Sequence, residues 1–146
     1  MDKIVVAGGS LAGLAVALFA ARSGHEVILL EADDRPVPST AEDVWQGWRR
    51  RGVPQFRQLH ATQALGWSIL AARAPDVLAD LRVIGGCEAQ LLTVPEPAAA
   101  ELVQLRCRRP ILEWSCAGPC WPSPASPSGP APKSPGCAWA AGADRG

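Results

Sequence analysis

The chain has no excess of either charge sign and few of the side chains that carry out chemistry on their own. Its 146 residues include 14 Lys and Arg against 14 Asp and Glu, so the formal net charge is zero. This balance gives no electrostatic reason to expect a nucleic acid or an anionic membrane as a partner. There are two histidines and five cysteines, and they form no recognisable Ser/His/Asp or Cys/His nucleophile. Internal repeats and heptads are also lacking.

The cysteines do not form a metal-binding pattern either. Cys116, Cys120 and Cys137 lie beyond residue 114, no histidine follows them, and their spacing matches no standard zinc site. Residues 4–21 carry no charge, but three small residues at 8–10 interrupt them, and a strand pattern follows at a set distance. This favours a folded unit over a signal peptide or a membrane span. A cytoplasmic protein without a metal site is therefore expected.

The first 35 residues contain the most regular pattern in the chain. Residues Ile4 to Ala7 are mostly β-branched and predict a short parallel strand, buried on both faces. Gly8 allows a sharp turn out of that strand. A helix is expected from about Leu11 to Ser23, ended by Gly24, and Glu26 to Leu30 predicts a second strand.

The turn and the acid after the second strand are spaced as in adenine-dinucleotide sites. Ser10 stands at the middle glycine of the usual G-x-G-x-x-G motif, and it is small enough to leave room for a pyrophosphate. Gly13 lets the helix approach the sheet, and the amides that open the helix face the phosphates. Glu31 follows 18 residues later, where a carboxylate can accept both ribose hydroxyls and repel a 2′-phosphate. The unit predicts a site for FAD or NAD, formed by Gly8, Gly9, Ser10, Leu11, Ala12, Gly13 and Glu31.

Residues 3–35 resemble the N-terminus of FAD-dependent oxidoreductases of the class A flavoprotein monooxygenase type. Residues 48–55, Trp-Arg-Arg-Arg-Gly-Val-Pro-Gln, followed by His60, are similar to an Arg-x-Gly-Val-Pro-Gln…His segment of halogenase-like and epoxidase-like members. Residues 107–114 resemble the Ser-Arg-x-x-Leu-Glu segment that opens the next long helix of that family. The resemblance implies FAD as the cofactor, Arg109 near its phosphates or ribose, and His60 near the flavin edge. For His60, a place on a helix surface is equally consistent.

The resemblance implies a flavin-dependent oxidoreductase that, when intact, uses NAD(P)H and oxygen on a small organic substrate. No catalytic residue in this chain can be assigned from it. Two alternatives stay open: a NAD-binding dehydrogenase with the same unit, and a non-enzymatic nucleotide-binding remnant or pseudogene product. The Gly-Val-Pro-Gln segment favours FAD over NAD. The three arginines at 49–51 are interpreted as a solvated face in preference to a phosphate clamp.

The rest of the chain up to residue 114 is predicted to be mainly helical. Helices are expected at 41–51, capped by Thr40 or Asp43, at 58–74, and from Pro75 to Leu81 with a stop at Gly85-Gly86. A third strand is expected at 91–94, and an extended-to-helical connection at 97–106 leads to a helix that begins at Pro110.

The composition changes abruptly after Trp114. Residues 115–146 hold three of the 28 charges and seven of the 14 prolines, and we expect them to be neither helix nor sheet but a disordered tail. Such a composition is also typical of GC-rich DNA read out of phase. Restoring one G after the Trp114 codon permits an amphipathic continuation of the helix. We therefore expect an α/β protein with a partial Rossmann-like βαβ FAD-binding domain at 1–114, truncated by a frameshift near Ser115.

Overall fold

A computed structural model describes residues 1–33, 37–90 and 102–118, and the backbone of 137–141. The strands in these ranges are β1 (Lys3–Ala7), β2 (Glu26–Glu31), β3 (Leu59–Thr62), β4 (Cys87–Gln90), β5 (Val103–Arg108) and β6 (Cys137–Ala141). The helices are α1 (Leu11–Arg22), α2 (Ala41–Gln46), α3 (Ala64–Arg73), α4 (Pro75–Val83) and α5 (Arg109–Ala117). The prediction of a mixed α/β fold is confirmed.

A parallel sheet carries the strand–turn–helix–strand unit. Its order is β1-β2-β6, and Ala7 at the end of β1 is in register with Leu30. Gly8 has φ +97° and Gly24 has φ +87°, a left-handed conformation that glycine adopts without steric cost. Gly8 follows the end of β1 and Gly24 follows the end of α1, at the two positions where the sequence predicts these elements to end. Because β1 and β2 run parallel, the glycine turn and Glu31 share one edge of the sheet.

The parallel strands are buried on one face, not on both as expected. Val6, Val27 and Leu29 are buried on the face that α1 covers with Leu14 and Leu18. On the opposite face, Val5 is 58% exposed and Leu30 is 40% exposed. In the described residues, no helix layer packs against that second face, which is why the continuous apolar runs do not translate into two-sided burial.

A second, antiparallel sheet has the order β3-β5-β4, and it corrects two sequence predictions. Residues 59–62, expected within a helix over 58–74, form β3, and the helical part is reduced to α3. Residues 103–106, expected in a connection, belong to β5. His60 pairs with Cys107 and Thr62 with Leu105, partners more than 40 positions away, so local periodicity could not reveal the pairing.

The helix expected over 41–51 ends at Gln46. Thr40 caps its start, since its side chain accepts a hydrogen bond from the Asp43 amide at 3.1 Å. Gly47 forms the C-cap, and residues 48–50 continue without helical hydrogen bonds. Helix α4 starts at Pro75 as predicted and extends two residues beyond Leu81. The strand predicted at 91–94 lies outside the described residues.

Helix α5 begins at Arg109 with Pro110 in its first turn and continues through Ala117. This corrects the expectation that the residues from 115 onward are not helical. Cys116 and Ala117 are buried in the core, and burial of these small apolar residues favours another turn before Pro119. The backbone of 137–141 forms β6 beside β2, where disorder was expected. Residues 119–136 and 142–146 lie outside the described part.

In the described part of the chain, none of the helices combines the length and the apolar character needed to cross a membrane.

Helix α5 lies between other helices, packed against α1, α2 and α4. The indole of Trp114 donates a hydrogen bond to the Pro38 carbonyl at 2.8 Å. This packing brings the first turn of α5 close to the edge where the glycine turn lies.

Candidate functional site

The glycine turn joins β1 to α1 through a very close backbone approach. A Cβ atom at Gly13 would lie 1.8 Å from the Gly8 carbonyl oxygen, a distance that no side chain can occupy. The Gly8 amide donates to the Leu30 carbonyl at 2.7 Å, which ties the turn to β2. Ser10 is the N-cap residue of α1, and its side chain makes no capping hydrogen bond. The Ser10 hydroxyl is therefore not used for capping, and it lies at the start of the helix, where the first amides have no partner within the helix.

The Glu31 carboxylate is fixed by backbone amides from both sides. Its Oε2 accepts a hydrogen bond from the Gly9 amide at 2.8 Å, and its Oε1 accepts one from the Asp33 amide at 3.0 Å. Burial raises the pKa of this carboxyl, but the amides of Asp33, Gly9 and Ala32 and the nearby Arg50 guanidinium outweigh burial. The pKa of Glu31 is thus held below its usual value, and the group is ionised at neutral pH.

Arg50 connects three separate parts of the chain. Its side chain is 4% exposed, its Nη2 forms an ion pair with Glu31 Oε2, and its Nη1 donates to the Gly9 carbonyl oxygen. The same Nη1 donates to Glu113 Oε2 at 2.9 Å. Both backbone polar groups of Gly9 are therefore hydrogen-bonded, its N–H to Glu31 and its C=O to Arg50. The interpretation of residues 49–51 as a solvated face is wrong for Arg50 and consistent with the exposure of Arg49 and Arg51.

Glu113 continues the network into α5. It has no exposed surface, and its Oε1 accepts a hydrogen bond from Arg109 Nε at 2.8 Å. The network contains four charged side chains whose signs alternate, so that their charges sum to zero. They are Glu31, Arg50, Glu113 and Arg109. A buried carboxylate is tolerated only when it is paired and hydrogen-bonded, and here each Glu113 oxygen has an arginine partner.

A cleft of about 550 Å³ opens at this edge of the sheet. Three of the predicted site residues line it, namely Gly8, Ser10 and Glu31. Arg50, Arg51 and Gly52 form another part of its wall. Its volume is within the range of small-molecule sites. The cleft thus combines the start of a helix, an ionised carboxylate and an exposed arginine.

The remaining predicted residues occupy other positions. Gly9 is buried behind the cleft, Leu11 and Ala12 form the first turn of α1, and Gly13 packs against Gly8. Arg109 is not among the residues that line the cleft, and within the described residues Glu113 and Arg50 link it to the site.

His60 lies in β3 and not on a helix surface. Its burial lowers the pKa, the Arg109 guanidinium lowers it further, and Glu113 partly opposes the two. His60 is thus a neutral imidazole at pH 7, adjacent to the Arg109 end of the ionic network.

Sequence reasoning missed Arg50 and Glu113 as parts of the site. Residues 48–51 read Trp-Arg-Arg-Arg, and this run gave no signal of which arginine is buried. In the structure Trp48 and Arg50 are buried while Arg49 and Arg51 are exposed, an alternation typical of extended chain.

Comparisons with known proteins give a likeness of fold. No model of a protein family matches the chain, and no curated protein matches it. Among solved structures, the chain is similar to the Diels-Alderase PyrE3 of the pyrroindomycin biosynthetic pathway, with a TM-score of 0.53 and 18% sequence identity. The match covers 80% of this chain and 22% of that one, so the chain spans about a fifth of the length of this neighbour. At this identity, the likeness concerns the fold alone.

Proposed function

We propose that the cleft binds the ADP part of FAD, and that the chain is the cofactor-binding portion of a flavin-dependent oxidoreductase of the monooxygenase type. One observation carries the proposal: the ionised Glu31 carboxylate and the glycine turn at the start of α1 lie at the same edge of a parallel sheet. Nucleotides bind to doubly wound sheets at this edge, with phosphates at the helix N-terminus and an acid on the ribose.

The residues present fit the ADP part of such a cofactor. The close contact of Gly13 with the Gly8 carbonyl brings the α1 amides to the end of β1, where a pyrophosphate would lie. Ser10 adds a hydroxyl at the cleft wall, and Arg51 adds an exposed cation. When bound, FAD supplies the redox chemistry through its isoalloxazine ring. The residues that line the cleft bind and orient the adenosine end.

The Gly-Val-Pro-Gln segment follows Arg51 directly, and Gly52 and Val53 contribute to the cleft, which agrees with the resemblance that favours FAD. NAD(P)H and a small organic substrate are proposed as partners of the intact oxidoreductase. A NAD-binding dehydrogenase is the alternative, because NAD contains the same ADP group.

Calorimetric titration of the purified chain with ADP, FAD, NAD and NADP tests the proposal. We expect FAD to bind more tightly than NAD, and NADP to bind most weakly of the three dinucleotides, because a 2′-phosphate would approach Glu31. Glu31→Gln should weaken ADP binding by roughly 1–3 kcal/mol, as expected for a lost charge-assisted hydrogen bond.

Glu26→Gln is the matched control, since Glu26 is an exposed acid at the other end of β2, paired with Lys3. It should leave the affinity unchanged. If the wild type and Glu31→Gln bind ADP with equal affinity, Glu31 does not contribute to nucleotide binding. Tighter binding of NAD than of FAD would favour the dehydrogenase.

A further inference from the structure

A second cleft lies on another part of the molecule, between helix α2, the turn after α4 and the end of β5. Its volume is about 290 Å³, at the small end of the range for ligand sites. The described residues that line it include none of those that line the cleft at Glu31. We propose that this second cleft binds a small organic monocarboxylate, with the carboxylate on Arg108 and the apolar body against Ile84 and Ile111. The proposal does not depend on the binding of ADP.

Arg108 is fixed in the wall of the second cleft by an aromatic ring. Its guanidinium carbon lies 3.9 Å from the centre of the Trp45 ring, which is a close cation–π contact. In residues 1–33, 37–90 and 102–118, no carbonyl or carboxylate oxygen accepts a hydrogen bond from this guanidinium. Its N–H groups therefore remain for a ligand, and their planar arrangement matches the two oxygens of a carboxylate. Because the ring orders the side chain beforehand, less rotamer freedom is lost on binding.

A second arginine lies on the same ring and has a different role. The guanidinium carbon of Arg57 is 4.8 Å from the centre of the Trp45 ring, but its Nη atoms donate to the carbonyl oxygens of Trp45 and Gln46. Arg57 is not among the described residues that line the second cleft. Two cations beside one indole raise the local positive potential, which favours an anionic ligand.

The other side chains of the wall favour an apolar body with a single negative charge. Ile84 and Ile111 line the cleft. Burial raises the pKa of the Cys107 thiol to about 11, with a smaller contribution from Cys87, so at neutral pH Cys107 packs as a small uncharged group. Glu42 also lines the cleft, and its negative charge disfavours a ligand with two negative charges, such as phosphate.

The turn after α4 adds backbone to the wall without a side chain that could fill the space. Gly85 has φ +96°, a conformation that favours glycine. A Cβ atom at Gly86 would lie 2.8 Å from the Leu81 carbonyl oxygen, too close for any side chain. Local geometry therefore requires glycine at both positions, and the cleft stays open on this side.

NMR titration of the isotope-labelled wild-type chain with isovalerate tests the proposal. Isovalerate has a carboxylate on a branched apolar body, and isovaleramide is its neutral counterpart of nearly equal shape. We expect isovalerate to shift the backbone amides of Gly85, Gly86 and Arg108 and to bind in about the millimolar range. Isovaleramide should bind about tenfold more weakly or worse, because it lacks the charge-assisted pair with the guanidinium. Inorganic phosphate should bind more weakly than isovalerate.

Equal binding of isovalerate and isovaleramide would overturn the proposal, and so would shifts confined to other parts of the molecule. Absence of binding by isovalerate, or tighter binding of phosphate at the same amides, would also overturn it. None of these outcomes bears on the titration with ADP, which concerns the cleft at Glu31.

Variants of Arg108 provide the second arm. Arg108→Met should weaken isovalerate binding about tenfold or more. Arg108→Lys keeps the charge without the planar pair of donors and should bind several-fold more weakly than the wild type. Arg49→Met is the matched control, because Arg49 is exposed, donates to the backbone carbonyls of Gln46 and Trp48, and should leave binding unchanged. A folded Arg108→Met protein with wild-type affinity would contradict the proposal, and if this variant does not fold, the comparison of isovalerate with isovaleramide decides alone.

Discussion

Arg50 and Glu113 form a buried ion pair between residues 63 positions apart, with 2.9 Å from Nη1 to Oε2. The pair joins the segment after α2 to the first turns of α5, and through Gly9 and Glu31 it also holds the glycine turn. The Arg50 guanidinium thus contacts both the groups at the cleft, Gly9 and Glu31, and the buried Glu113 in the core. The stability of the fold and the shape of the site are expected to depend on the same side chain.

Arg50→Met should therefore lower the free energy of unfolding by about 3–5 kcal/mol, because it leaves Glu31 and the buried Oε2 of Glu113 without their arginine partner. Urea denaturation followed by circular dichroism measures the change. Arg49→Met removes the same charge from an exposed neighbour and should change the free energy of unfolding by less than about 0.5 kcal/mol. Equal effects of the two variants would show that the buried pair does not govern stability.

Two helical glycines should respond in opposite directions to alanine. At Gly13 the added methyl group would overlap the Gly8 carbonyl, and overpacking of this kind costs about 1–3 kcal/mol or more. At Gly66 in α3, the nearest contact is Thr62 Cβ at 3.5 Å, an ordinary distance. Gly66→Ala should stabilise the protein by about 0.5–1 kcal/mol.

Thermal unfolding of the two variants measures both effects. Ser10→Gly should be mild, because the Ser10 side chain makes no capping hydrogen bond. A stable Gly13→Ala together with a disrupted Ser10→Gly would mean that the turn is assigned to the wrong residues.

The parts of the site that follow local rules could be predicted from the sequence, and the parts that depend on distant partners could not. Backbone conformation and helix capping select particular residue types at a few positions. The structure has the predicted turn at Gly8, the predicted helix end at Gly24 and the predicted helix cap at Thr40. Strand β3 depends on pairing with β5, and Arg50 is buried because Glu113 meets it. Strand β5 and Glu113 are both more than 40 residues away in the sequence from their partners β3 and Arg50, so no local pattern near β3 or Arg50 predicts these contacts.

The change of composition after Trp114 carries a prediction at the level of the coding DNA. Inserting one G after that codon should open a reading frame of a few hundred codons. In the restored frame, position 117 becomes Arg or Cys. Because Ala117 has no exposed surface in α5, Cys is the expected choice. Sequencing of the gene and its downstream region decides, and a stop codon within a few dozen codons would reject the frameshift.

His60 should make the stability of the protein depend on pH in the weakly acidic range. Burial and Arg109 lower its pKa below the ordinary 6.5, against a smaller opposing effect of Glu113. The unfolded chain therefore binds a proton at a higher pH than the folded chain does. Between pH 6.5 and the lower pKa of the folded state, the unfolded state holds more protons, so stability decreases as the pH falls through this window.

His60→Gln should remove this part of the pH dependence, because glutamine does not titrate. The chain has two histidines, so His25→Gln is the matched control and should retain the decrease that His60 causes. Urea midpoints measured from pH 7.5 to pH 5 compare the three proteins, and NMR titration of the imidazole C2–H reports the pKa of His60 directly. A His60 pKa at or above 6.5, or a His60→Gln profile parallel to that of the wild type, would contradict the prediction. Either result would mean that burial and Arg109 together do not disfavour the charged form of His60 in the folded protein.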